Sequence, residues 1–96
     1  MRIGLDFDNT LTADPTLWAA FVSLAQKLGH SVVIVTARRD NHENRADLTD
    51  FLESREFPSI PIFYTNLGSK IAHMKKLGMP VDIWVEDDPL TCALGH

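Results

Sequence analysis

Two tight groups of acids carry most of the chemistry this sequence could do. Asp6 and Asp8 bracket Phe7 at the end of the apolar run Ile3-Gly4-Leu5, and Glu86-Asp87-Asp88 directly follow Ile83-Trp84-Val85. In an extended chain, residues two apart point to the same face, so Asp6 and Asp8 present two carboxylates side by side. Like charges so placed repel unless a cation or a shared proton relieves them. Asp8-Asn9-Thr10 is also good turn chemistry, but a turn leaves Asp6, still within the apolar run, unexplained. In the second group Asp88 reads as the N-cap of a helix starting at Pro89, which leaves Glu86 and Asp87 in surplus. If the two groups meet in space, their oxygens suit a hard divalent cation.

The other polar residues say less one at a time. Thr36 closes a β-branched run and alone reads as a strand residue; Lys70 alone reads as a solvated side chain. Arg38 and Arg39 follow a strand end, where guanidiniums can clamp a phosphate, although loop arginines are more often surface charge. His30, His42, His73 and His96 show no metal-ligand spacing. The single cysteine, Cys92, excludes an internal disulfide and a Cys-based zinc site and reads as a small buried residue.

The elements that must position these residues follow from local signals. Residues 2–7 are an apolar run suited to a strand. Asp14-Pro15 is a helix start, followed at helical spacing by Leu17, Trp18, Phe21, Leu24, Ala25 and Leu28, with Gly29 as the stop. Trp18, like Trp84, reads as core. Val32 to Thr36 is a buried strand. A polar stretch leads to a helix over 43–55 with Leu48, Phe51 and Leu52 on its apolar face. Ile62 to Tyr64 form a short strand near an edge, after Pro58 and Pro61. Asn66 or Ser69 caps a helix carrying Ile71, Met74 and Leu77, stopped by Gly78 and Pro80. Asp82 to Val85 are a fourth strand, and residues 89–95 a closing helical turn. Strand and helix alternate, so the expected fold is α/β, a mostly parallel sheet with helices on both faces. In such sheets ligands bind beyond the carboxyl ends of the strands. Asp6, Asp8, Thr36, Glu86 and Asp87 all fall at those ends, and Lys70 opens the helix that feeds the last strand.

Composition narrows the field further. Ninety-six residues, 45% hydrophobic and 23% charged, make one globular domain over 1–96. There is no apolar run of the roughly 18 residues that cross a bilayer and no secretory signal, so a cytoplasmic setting with no membrane partner is expected. The net charge of −4 comes from 13 acids against 9 bases. Without Asp6, Asp8, Glu86, Asp87 and Asp88, 8 acids would face 9 bases. The acidity is therefore local, and no basic stripe suggests a nucleic-acid partner.

Taken together and in order, these signals resemble the haloacid dehalogenase-like (HAD) superfamily of phosphohydrolases. Ile3-Gly4-Leu5-Asp6-Phe7-Asp8-Asn9-Thr10-Leu11 is similar to its first motif, hhhhDxDxT with a following Leu or Val. Val32 to Thr36, continued by Ala37-Arg38, is similar to the second, Lys70 to the third, and Asp82 to Asp87 to the fourth. The resemblance spans nearly the whole chain, and its first and fourth motifs are the specific ones. It implies a three-layer Rossmann-like core and a Mg²⁺-dependent phosphomonoesterase. Asp6 would be the nucleophile that forms an aspartyl-phosphate, and Asp8 the general acid and base. Thr36 and Lys70 would hold the transferring oxygens, with Asn9 and Arg38 beside the substrate. Asp6, Asp87, the backbone carbonyl of Asp8 and, through water or a second layer, Glu86 would bind the metal. Only Leu11 to Asp14 separate the first motif from its helix, and between Thr36 and Lys70 there is room for one helix and one strand. The chain thus resembles small capless members, some of them phage-encoded.

A cap normally supplies selectivity, so its absence leaves the phosphorylated substrate unnamed and makes a homo-oligomer one way to shield the site. Other readings of the same residues are a weak or inactive phosphate- and metal-binding module of this fold, and a nucleotidase or polynucleotide-end phosphatase. A receiver-like signalling domain fits less well, because its acceptor Asp belongs where Thr36 stands.

Overall fold

Local chemistry sets where the helices begin and end. In the computed structural model, which describes residues 1–96, Asp14 Oδ1 accepts the Leu17 N–H at 3.1 Å and starts α1, Pro15–Lys27. Asn41 caps α2, His42–Ser54, by accepting the Asn44 N–H at 2.8 Å. Ser69 caps α3, Lys70–Lys76, through the Ala72 N–H, and Asp88 caps α4, Pro89–Leu94, through the Thr91 N–H. Asn66, the other candidate cap for α3, instead takes a positive φ of 52° and accepts the Asp40 N–H.

The strands are β1, Arg2–Leu5; β2, Ser31–Thr36; β3, Ile62–Tyr64; and β4, Ile83–Val85. They form one sheet in the order β3-β2-β1-β4, parallel throughout rather than mostly parallel. Leu5 stands level with Ile34 on one side and Val85 on the other. Strand β1 is shorter than the apolar run implied. Its last ladder bond is the Asp6 N–H to the Val85 carbonyl at 3.0 Å, after which the chain leaves the sheet. Phe7–Leu11 form a wide turn closed by the Thr12 N–H on the Phe7 carbonyl, with Asn9 in the left-handed region at φ 63°, a conformation that asparagine tolerates.

Side chains alternate across β2 and divide the interior in two. Val32 and Ile34 join Ile3, Leu5, Phe7, Leu11, Val22 and Leu48 under α1 and α2. Val33 and Val35 meet Met74 of α3, with Phe63, Met79, Val81 and Trp84 around them. Helices thus cover both faces. The second core packs tightly against β1 at Gly4. A Cβ at Gly4 would lie 3.0 Å from the Trp84 ring and 3.1 Å from Val81. Trp18 and Trp84 are half-buried against the two cores. Leu17, Leu24, Leu28 and Leu77, read as apolar-face residues, are exposed. No helix is long and apolar enough to cross a membrane.

Candidate active site

The order β3-β2-β1-β4 means that the chain steps outward from β1 to β3 and then crosses to the other side of β1. A crevice opens at the carboxyl end of a parallel sheet where the winding reverses in this way. A cavity of about 300 Å³ lies there, lined by Asp6, Asp8, Asn9, Ala37, Arg38, Leu67, Lys70, Glu86, Asp87, Asp88, Thr91 and His96.

Its floor is a buried charge cluster. Asp6 is 5% exposed and Lys70 only 2%. Lys70 Nζ donates to Asp6 Oδ1 at 2.6 Å and to Glu86 Oε1 and Oε2 at 2.9 and 2.8 Å. The Thr10 hydroxyl donates to the other Asp6 oxygen at 3.2 Å. Lys70 is therefore not the solvated side chain that it suggests when read alone. Its stem starts α3, and its ammonium offsets two carboxylates presented by β1 and β4.

One cation does not neutralise three acids. Asp6, Glu86 and Asp87 each offer an oxygen, all within 4.8 Å of one another. Burial first, then a hydrogen bond with the Asp87 carboxyl, push Asp6 up from 3.8 to about 7 against the pull of Lys70. The same hydrogen bond holds Asp87 below the usual carboxylate range. Burial also raises Glu86, although Lys70 opposes it. Burial works to lower Lys70, but its hydrogen bonds to Asp6 and Glu86 outweigh this and raise it. Asp6, Glu86 and Asp87 together could hold a divalent cation through oxygen ligands. Cys92, buried behind this cluster, is pushed up to about 11 chiefly by burial and stays a thiol.

Asp8 belongs to a different pair. Arg38 Nε and Nη2 donate to its two carboxylate oxygens at 3.0 and 2.8 Å. Arg38 Nη1 reaches Asn44 and Asp47 of α2 at 3.3 and 3.4 Å, and the guanidinium lies 5.2 Å from the Phe7 ring centroid. The Asp8 side chain remains 49% exposed at the cavity mouth. Asp6 and Asp8 therefore do not repel across one face. The turn after Asp6 sends each carboxylate to its own cation.

The cavity brings together Asp6, Asp8, Asn9, Arg38, Lys70, Glu86 and Asp87 of the residues singled out from sequence. Thr36 is 1% exposed and does not line it; its hydroxyl accepts the Arg38 N–H at 3.3 Å. Arg39 is exposed and also lies outside the lining. Sequence reasoning did not give Thr10 its place against Asp6, although it stands four residues on in the same motif. Leu67, Thr91 and His96 were missed as well. They arrive because α4 docks on the start of α3: the Ser69 hydroxyl donates to the Ala93 carbonyl at 2.5 Å, and the His96 N–H to Leu67 at 2.7 Å. No local sequence signal marks that docking. No protein-family model, curated protein or solved structure matches this chain.

Proposed function

We propose that the chain is a Mg²⁺-dependent phosphomonoesterase of the HAD type, built on a capless Rossmann-like core and acting through an aspartyl-phosphate on Asp6. The observation that carries this reading is the meeting of Asp6, Lys70, Glu86 and Asp87 in one crevice, with Asp8 on its own arginine at the mouth. The two acids of one motif are differentiated by environment. Asp6 is buried, fixed through both oxygens and set among cation-binding groups, as a nucleophile must be. Asp8 is half in solvent, where a group that exchanges protons with a leaving group and with water must be.

Asp6, Asp87 and Glu86 would hold the Mg²⁺, with the Asp8 carbonyl beside them. When bound, the ion offsets the charge of an anionic nucleophile facing an anionic phosphate. Asp6 Oδ attacks phosphorus and the bond to the leaving oxygen breaks, while the Asp8 carboxyl supplies the proton that oxygen takes up. Asp8 then accepts a proton from the water that opens the acyl phosphate, releasing inorganic phosphate and restoring both carboxyls. Lys70 offsets the growing charge on the transferring oxygens. Arg38 orients Asp8 through two parallel hydrogen bonds and is itself held by α2. Thr36 supports the Arg38 backbone.

The test is hydrolysis of p-nitrophenyl phosphate by the purified chain with Mg²⁺ and with EDTA. Turnover that requires Mg²⁺ supports the reading. Undiminished turnover in EDTA, or none in either condition at millimolar substrate, overturns it, the latter in favour of an inactive binding module.

A further inference from the structure

The turn after β3 places an unusual residue in the wall of the cavity. Asn66 and Leu67 both take positive φ, 52° and 69°, and the Gly68 N–H closes the turn on the Thr65 carbonyl at 3.0 Å. This is the pattern of a type I′ turn, whose two central positions favour Asn-Gly. Asn66 fits that preference. Leu67 stands where glycine belongs, and a leucine is strained in the left-handed conformation that glycine adopts freely. Core packing does not account for it, because Leu67 joins neither core cluster and stays 39% exposed. The backbone around it holds it at the cavity instead. Its N–H donates to the Ala37 carbonyl at 2.7 Å, and its own carbonyl accepts the His96 N–H at 2.7 Å. Leu67 and Ala37 are the two hydrophobic residues among the twelve that line the cavity. Strain that the surroundings hold in place concentrates at ligand-binding sites.

The cations of the cavity are already engaged. Lys70 Nζ is bonded to Asp6 and Glu86, and all three guanidinium nitrogens of Arg38 donate to Asp8, Asn44 or Asp47. A second anionic group on a ligand would find no free Lys or Arg in the lining, and the exposed Asp88 would repel it. We propose that Leu67 selects the leaving group: the substrate is a phosphate monoester whose leaving group lays an uncharged, apolar face, aromatic or aliphatic, on that side chain. This rests on the phosphomonoesterase reading above. The cavity of about 300 Å³ has room for a phosphate and a ring-sized group, and the strained turn supplies the selecting contact that a cap would otherwise make.

Leu67→Gly relieves the strain and removes the contact together. Titration calorimetry with Mg²⁺ reads binding of two non-hydrolysable probes, benzylphosphonate and methylphosphonate. The parent should prefer benzylphosphonate by roughly fivefold or more, which is what covering the exposed part of one leucine supplies. Leu67→Gly should melt no lower than the parent and lose that preference, whereas Leu67→Met should keep it. The anionic probe 3-phosphonopropionate should bind the parent no more tightly than methylphosphonate. A benzyl preference that depends on residue 67, without turnover of p-nitrophenyl phosphate, would fail the catalytic reading while supporting the contact. With or without turnover, equal affinities in the parent, no binding of either probe, or a preference that survives Leu67→Gly overturns the proposal. So do tighter binding of 3-phosphonopropionate and a Leu67→Gly melt well below the parent, which would make the leucine a support of the fold.

Discussion

Replacing Lys70 by Met removes the one cation among three clustered acids and leaves most of its packing in place. The Lys70 ammonium, 2% exposed, bonds Asp6 at 2.6 Å and Glu86 at 2.8 and 2.9 Å, and neither acid has a second ion-pair partner. Breaking a buried pair while leaving its charges in place costs about 3–5 kcal/mol. In a domain of this length each kcal/mol moves the melting temperature by roughly 4–8 °C, so at pH 8 without divalent cations the melt should fall by about 12 °C or more. The loss should shrink at pH 5. Asp6, already raised to about 7, then takes up a proton instead of remaining a bare charge, and burial shifts Glu86 in the same direction. Added Mg²⁺ should recover part of the loss at pH 8 by replacing one cation with another. Urea unfolding followed by circular dichroism, at both pH values and with EDTA or Mg²⁺, gives the comparison. A loss under about 1 kcal/mol at pH 8 in EDTA, well below that range, would refute the reasoning, as would an equal loss at both pH values.

The raised Asp6 carboxyl also sets a pH dependence. Its folded-state stabilisation is present in full below pH 3.8 and is lost as pH rises through about 7. The metal-free parent should therefore lose stability across that window relative to Asp6→Asn, and calorimetry showing no difference would count against the shift. Mg²⁺ must displace the same proton, so its apparent affinity should rise about tenfold per pH unit below 7 and level off above it, as titration calorimetry in two buffers would show. In acid-quenched intact-mass spectra with p-nitrophenyl phosphate, Asp6→Asn should carry no added phosphoryl group. Asp8→Asn should keep Mg²⁺ affinity, turn over about 10²–10⁴-fold more slowly and accumulate phosphoenzyme; an adduct on Asp6→Asn alone would reverse the two roles. Gly4→Val should destabilise the protein by about 1–3 kcal/mol through overpacking against Trp84, read as a shift in the urea midpoint.

What the sequence determined by itself is what short-range physics decides. The β-branched run 32–36 is extended because those side chains suit a pleated, buried surface. Asp14 and Asp88 start helices because a carboxylate three residues before an N–H is within bonding reach. Alternation of such elements, with acids after the first and last strands, was enough to place Asp6, Glu86 and Asp87 at one end of a parallel sheet. The tertiary structure decided what spacing along the chain does not encode. Lys70 lies 64 residues from Asp6 and Arg38 lies 30 from Asp8, and only the packing of α3 on the sheet and the placement of β2 beside β1 make them partners. Periodicity likewise marks α1 as apolar without saying which side turns inward, because Leu17, Leu24 and Leu28 match Val22 and Ala25 in hydrophobic character. Packing against β1 and β2 chose Val22 and Ala25 and left the leucines in water, since a helix lying on a sheet can bury only one side.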